Sequence, residues 1–568
     1  MSKWLHACAA ACAFALAAAC GGENSRDAAD APAAPDRDAE AAPSAAAITG
    51  DDLRRHIEIL ASDEFAGRAP GAPGGEKART YIAGEFERLG LEPLDGSYFQ
   101  DVPMVEATLD PAASFLRFEA PGGEIALAYK KDAVYWTKQV EETVAFSGSD
   151  VVFVGYGVVA PEYQWNDYEG VDVKGKTVII LINDPGFATQ DPALFNGNAM
   201  TYYGRWTYKY EEAARQGAAA ALIVHDTAPA AYGWNVVEGS WSGPQIDLQR
   251  ADGGASRAKA EGWLSNEAAH VLFAAAGLDL DQLTDAAKVR EFKAVPLEGV
   301  TASAKLASAV RLSVDANVVG VLRGAEAPDE YVLYMAHWDH LGLKPNVEGE
   351  DKIFNGAVDN ATGVAAILEI AEKFARSQKQ PRRSILIAAV TAEESGLLGS
   401  AYFAEDPPVP LKDIVGGVNI DAVLPTPPAK DVIVIGYGAS ELDDLLKAAA
   451  ARHDRYLRPD AEPEKGFFYR SDHISLAKKG VPMLYADQGV DLRDGGEEAG
   501  RAFSEDYTAH RYHSPADEID ETWRFDGMVD TLDILYETGA AMAYSDIWPN
   551  WREGNEFRAL REAQRAAE

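Results

Sequence analysis

The chain has 568 residues, of which 47% are hydrophobic and 10% aromatic, the profile of a folded protein with two or three domains. Its formal net charge of -38 excludes a nucleic-acid surface, which needs clustered lysine and arginine, and says more about solubility than about substrate. The three cysteines are Cys8, Cys12 and Cys20, so beyond position 20 there is neither a disulfide nor a thiolate metal site. Any zinc must be held by His, Asp and Glu.

Residues 1–19 carry one charge, Lys3, and an alanine-rich apolar stretch too short to span a bilayer, which reads as a signal peptide. Ala17-Ala18-Ala19 followed by Cys20 resembles a bacterial lipoprotein signal. That resemblance implies acylation of Cys20 and a protein held by lipid at a membrane surface of the cell envelope. Ordinary cleavage after an Ala-X-Ala site is the alternative and leaves Cys20 a bystander. Residues 20–49 are mostly Ala, Pro, Asp and Glu, a composition that buries too little apolar surface to fold and reads as a flexible tether.

Order is expected from Asp51, a candidate N-cap for a helix through Leu53, Ile57 and Leu60, and a second amphipathic helix is expected at 75–89. From 130 to 310 the texture changes, with apolar strands at 151–154 and 177–182, a helix at 209–216 and an apolar run at 218–224. No metal-ligand spacing occurs there. Its aromatics, among them Trp165, Tyr168, Tyr202, Tyr203, Trp206, Trp234 and Trp241, suit core and loop packing, with a substrate-cleft wall as the alternative. From 311 onward, strands at 331–336, 384–390, 415–420, 432–435 and 481–485 alternate with helices such as 361–376 and 441–453. This pattern predicts an α/β fold, a mostly parallel mixed sheet flanked by helices, whose ligands gather at the carboxyl ends of the strands.

The chemistry-bearing residues fall at those ends. The first strand runs into His337-Trp338-Asp339-His340-Leu341-Gly342, where the Asp339 carboxylate is placed to orient the His337 imidazole. Asp359 stands before a helix within Gly356-Ala357-Val358-Asp359-Asn360, and taken alone it reads as a helix cap. A third strand ends in Glu393-Glu394, a costly pair of acids unless one binds metal while the other moves protons. Asp421 follows the fourth strand, and His513 sits in a turn before Pro515. Two histidines and at least four carboxylates at one end of a sheet suit two thiolate-free zinc ions, and an oxygen-rich set leaves room for water.

These motifs resemble those of the di-zinc aminopeptidase and glutamate carboxypeptidase-like family, metallopeptidase family 28. The matching stretches are 336–342, 356–363, 391–399, 419–421, Ser471-Asp472-His473 and 512–518, with Ser62-Asp63-Glu64-Phe65-Ala66-Gly67-Arg68 resembling the family's opening. The segment from Gly155 to Lys176 looks like an inserted, β-rich protease-associated domain. The resemblance implies a zinc-peptidase phosphorylase/hydrolase-like fold divided into a signal peptide (1–19), tether (20–49), N-terminal peptidase part (50–130), insert (131–310), catalytic domain (311–550) and tail (551–568). It also implies two zinc ions on His337, Asp359, Glu394, Asp421 and His513, with Asp359 bridging and the Asp359–Asn360 peptide cis. Glu393 would be general base and then acid, Asp339 would orient His337, and Tyr512 would stabilise the oxyanion. Arg470 is a candidate for a substrate carboxylate. His340 reads as a loop residue or a support behind the ligands rather than a ligand, and Ser471-Asp472-His473 as structural or as supporting the ligands from behind, since three consecutive side chains cannot form a catalytic triad. The expected activity is release of N-terminal residues from peptides, with carboxypeptidase or dipeptidase action, a non-catalytic receptor and a single-zinc cyclase as alternatives. Oligomeric state is not readable.

Overall fold

The computed structural model describes residues 46–347 and 349–566. Cys20, the signal peptide and most of the tether lie outside the described residues. The first helix, Gly50–Leu60, is capped by Thr49, whose hydroxyl accepts from the Asp52 amide, and not by Asp51, which lies inside the first turn. The second helix, Pro73–Leu89, starts two residues earlier than expected because Pro73 occupies its first turn, where a missing N–H costs nothing.

The larger C-terminal sheet is mixed. Arg383–Val390, Ala327–His337, Ile414–Asn419 and Met483–Gln488 lie side by side and parallel. Antiparallel neighbours flank them: the last residues of Val295–Leu322 on one side and Asp431–Ile435 on the other. The parallel strands are near-continuous Val, Ile, Leu and Ala because both their faces are covered. On one face Gly50–Leu60, Thr362–Ala375 and Phe525–Ala543 pack over Val332, Tyr334, Ile385 and Ile387. On the other, Leu333, Met335, Leu386 and Ala388 meet Phe403, Leu476 and Val481.

The insert holds a second sheet of its own. Thr143–Phe153, Thr177–Leu181, Ala220–Val224 and Ala260–Leu264 run parallel in that order, and Ala133–Trp136 pairs antiparallel at the end. Helices Trp206–Arg215 and Asn266–Ala275 accompany them, so the region is α/β rather than simply β-rich. Two boundaries differ from the sequence expectation. Phe115–Ala120, assigned to 50–130, pairs with the insert sheet and buries Leu116 and Phe118 in its core. The boundary at 310 falls inside Val295–Leu322, a single 28-residue strand. Its first half pairs with Thr143–Phe153 and its last residues with Arg383–Val390, which ties the two regions together without a linker.

Candidate metal centre

Four adjacent parallel strands all deliver their carboxyl ends to one place, and the sequence puts an acid or imidazole at each. His337 ends Ala327–His337 and is buried, with Nε2 3.3 Å from Asp359 Oδ1 and 3.2 Å from Asp421 Oδ1. His513 Nε2 lies 3.2 Å from the other Asp359 oxygen, Oδ2, and 3.1 Å from Glu394 Oε2. The two oxygens of Asp359 therefore face two separate imidazole–carboxylate pairs.

Asp359 is fixed from several sides. Asp517 accepts from the Val358 amide through Oδ1 (3.0 Å) and from the Asp359 amide through Oδ2 (3.1 Å), while its carbonyl accepts from Ala357 (3.0 Å). The Asp359–Asn360 peptide is cis. It is Asn360, not Asp359, that serves the helix start: its Oδ1 accepts from Gly363 and Ala422, and its Nδ2 donates to the Ile420 carbonyl beside Asp421. Gly356 has φ +58°, and a Cβ there would sit 2.2 Å from the Asp359 carbonyl and 2.5 Å from the His340 ring, so only glycine fits. Arg68, wholly buried, binds the backbone carbonyls of Leu60, Trp338, Asn355 and Gly356, pinning the N-terminal segment to both loops that carry the site.

Asp339 does a different job from the one expected. Its carboxylate is 3.8 Å from His337 Nδ1, beyond hydrogen-bond reach, and its backbone carbonyl faces that nitrogen at 3.1 Å instead. Asp339 Oδ1 accepts from the Glu393 amide at 3.0 Å, so it positions Glu393. The reason is geometric: two residues past the strand end the chain has turned, and its carbonyl reaches the ring before the side chain does. Burial pushes the Glu393 carboxyl up, with Asp421 and Glu394 adding to this against His337. Asp421 is held by Ser471, whose hydroxyl donates to Oδ2 at 2.5 Å and accepts from Asn419 Nδ2 at 2.7 Å. Burial takes the neighbouring His473 imidazole down to about 3, a neutral ring packed between Phe468 and Tyr485.

The Tyr512 ring, 42% exposed, stacks on His513 at 3.9 Å. Arg470 is exposed, with its guanidinium over the Phe467 ring and its charge near the Tyr512 hydroxyl. Sequence reasoning missed Asp487. Asn419 pairs with Tyr485, which places Asp487 beside Asp421 on the neighbouring strand, and the charges around it are the carboxylates of Asp421 and Asp460. An acid within Met483–Gln488, a strand otherwise apolar at Met483, Leu484 and Ala486, was the available signal.

The donor set fits divalent cations. Asp339, Asp359, Glu393, Glu394 and Asp421 converge on few positive groups, and buried carboxylates that repel one another call for cations between them. His340 Nδ1 and Nε2, Glu394 Oε1 and Asp339 Oδ2 are buried without hydrogen-bond partners. Among the described residues, two groupings with metal-ligand spacing result: His337, Asp359 and Asp421, and His340, Asp359 and Glu394. A cavity of about 500 Å³ opens beside Glu394, walled by Leu398 and Tyr469 and by Trp136, Tyr202, Trp206 and Trp241 of the region 131–310. Trp165 and Tyr168, by contrast, are buried in the insert cores.

Residues 317–533 match the family model of Peptidase family M28. Among curated proteins, a probable glutamate carboxypeptidase, LAMP1, from Arabidopsis thaliana is 35% identical over 141 residues, 24% of this chain and 18% of that protein. Aminopeptidase NAALADL1 from Mus musculus is 34% identical over 138 residues, 22% of this chain and 17% of its own length. The matches thus span less than a fifth of each of these relatives. Among solved structures, an aminopeptidase from Aneurinibacillus sp. strain AM-1 aligns over 87% of this chain and 94% of its own, with 19% identity and a TM-score of 0.46.

Proposed function

With residues 317–533 matching the family model of Peptidase family M28, we propose that the protein is an exopeptidase using two zinc ions to release N-terminal residues from peptides. The observation that carries this is Asp359, one oxygen 3.3 Å from His337 and the other 3.2 Å from His513, as a carboxylate shared between two ions requires. His337 and Asp421 would complete one shell, and His513 and Glu394 the other. Zinc in such shells supplies Lewis acidity toward a water and toward the scissile carbonyl.

The chain's own groups do the rest. Glu393, held by the Asp339–amide bond, takes the proton from the attacking water and returns it to the departing amine. Tyr512, whose ring stacks on His513, would donate to the oxyanion. The cavity walled by the insert would seat substrate side chains. Amino- and carboxypeptidase action differ in whether a free ammonium or a free carboxylate is bound, and aminopeptidase action is the one proposed. Export by residues 1–19 and lipid anchoring through Cys20 belong to the same proposal. No helix among the described residues is long and apolar enough to cross a membrane.

The test is zinc analysis of the purified chain followed by hydrolysis of N-blocked and C-blocked peptides. Two ions per chain with loss of activity on N-blocked substrates is the expected result. No bound metal, or cleavage indifferent to the N-terminus, would overturn it.

A further inference from the structure

His340 stands outside the ligand set proposed above, yet its side chain is 1% exposed and neither ring nitrogen has a hydrogen-bond partner. A buried imidazole left unbonded is costly, and a bound cation would satisfy it. Its Nδ1 lies 2.7 Å from Glu394 Oε1, and that oxygen too lacks a hydrogen bond. At 2.7 Å the two atoms are close enough to pair, yet neither makes a hydrogen bond of ordinary geometry. Ligands of one ion stand in this relation, because each aims at a shared third point and their mutual contact is only an edge of the coordination polyhedron. The same nitrogen is 3.9 Å from Asp359 Oδ2, the oxygen that faces His513.

The surroundings hold the ring in that place. Gly356 packs against it so closely that a Cβ would come within 2.6 Å, and the rings of His340 and His513 are 5.8 Å apart across Glu394. His513 itself is 37% exposed and sits in a turn after helix Gly496–His510.

We propose that His340 is a ligand of the ion between Asp359 and Glu394, and that it, rather than the exposed His513, retains that ion. The proposal rests on the metallopeptidase function above and adds a fourth protein side chain to one of the two shells. The two ions are then unequal: the one at His337 has three protein ligands, the one at His340 has four.

The experiment is zinc titration of the chelator-stripped full chain, counted by mass spectrometry, for wild type, His340→Ala, His340→Gln and His513→Ala. Folding of each is checked by its melting profile. X-ray absorption of the wild type loaded with two zincs gives the mean number of imidazoles per ion. The expected result is three imidazoles shared by two ions, a loss of 10²-fold or more in affinity for one ion in His340→Ala, and a smaller loss in His513→Ala. Two imidazoles for two ions would overturn the proposal even if no variant folds. So would wild-type affinity in His340→Ala, or its recovery in His340→Gln, which would make His340 a hydrogen-bond donor to Glu394. A wild type that binds no zinc would instead sink the metallopeptidase function itself.

Discussion

The insert and the peptidase sheet both bury charged side chains, but they settle them differently. In the insert, Lys209 donates to the Tyr156 carbonyl at 2.7 Å, and Asp167 accepts from the Val158 amide and the Trp165 indole at 2.9 and 2.8 Å. Asp184 accepts from Gly186 and Thr201. Burial takes Lys209 down and Asp167 up, each to about 7, and both sit inside a closed hydrogen-bond network. At the strand ends of the peptidase sheet the acids outnumber the imidazoles, and atoms of Asp339, His340 and Glu394 go without partners. A buried polar cluster that satisfies itself is architecture; one that does not is waiting for a ligand.

The comparison can be broken at either end. The largest effect is expected from Glu393→Gln, which should lower kcat by about 10³-fold while two zincs stay bound, because it removes the proton carrier and no ligand. Near-normal turnover, or loss of metal, would put Glu393 in the wrong role. In the insert, Asp167→Ala strips two buried donors of their acceptor and should cost about 3 kcal/mol of stability in denaturant unfolding, with kcat of the folded protein unchanged. A fall in kcat without a stability change would move that cluster from architecture to function.

Asp517→Ala probes the boundary between the two kinds of cluster, since Asp517 accepts from the Val358 and Asp359 amides and from the Tyr507 hydroxyl and so holds Asp359. Zinc affinity should drop about 10- to 100-fold by competition with a chelator. The smallest effect lies away from both. His453, half-buried, meets Asp530 at 3.3 Å and Glu537 at 3.1 Å, which raise its imidazole to about 9. A raised folded pKa means stability that is fully present below the unfolded value near 6.5 and is lost as pH rises through about 9. After solvent screening this amounts to about 1 kcal/mol. Melting scans at pH 6 and pH 9.5 should differ by less in His453→Gln than in wild type.

Much of this was legible in the sequence, for reasons visible in particular residues. Strands such as Arg383–Val390 are apolar throughout, so their positions and their burial on both faces follow from composition alone. His337, Glu394 and Asp421 stand out because each lies at or just past the end of an apolar run, whereas Asp359 and His513 are named as ligands through the family resemblance of their motifs. Asp339 was harder: its spacing suggested contact with His337, but only the path of the turn shows its carbonyl there and its carboxylate on Glu393. Asp487 was hidden because strand order, not chain order, brings it beside Asp421. Phe115–Ala120 was misassigned because a strand's pattern records that a face is buried, not which sheet buries it.

Local chemistry thus determined the kind of elements, the absence of thiolate sites beyond Cys20 and the types of side chain at the strand ends, since these depend on periodicity and residue identity. Only the tertiary structure decided which oxygen of Asp359 faces which imidazole, that His340 enters the same cluster, and that one long strand joins the insert to the catalytic sheet. Distances between side chains some tens to hundreds of residues apart are set by packing and register, and no run of neighbouring residues encodes them.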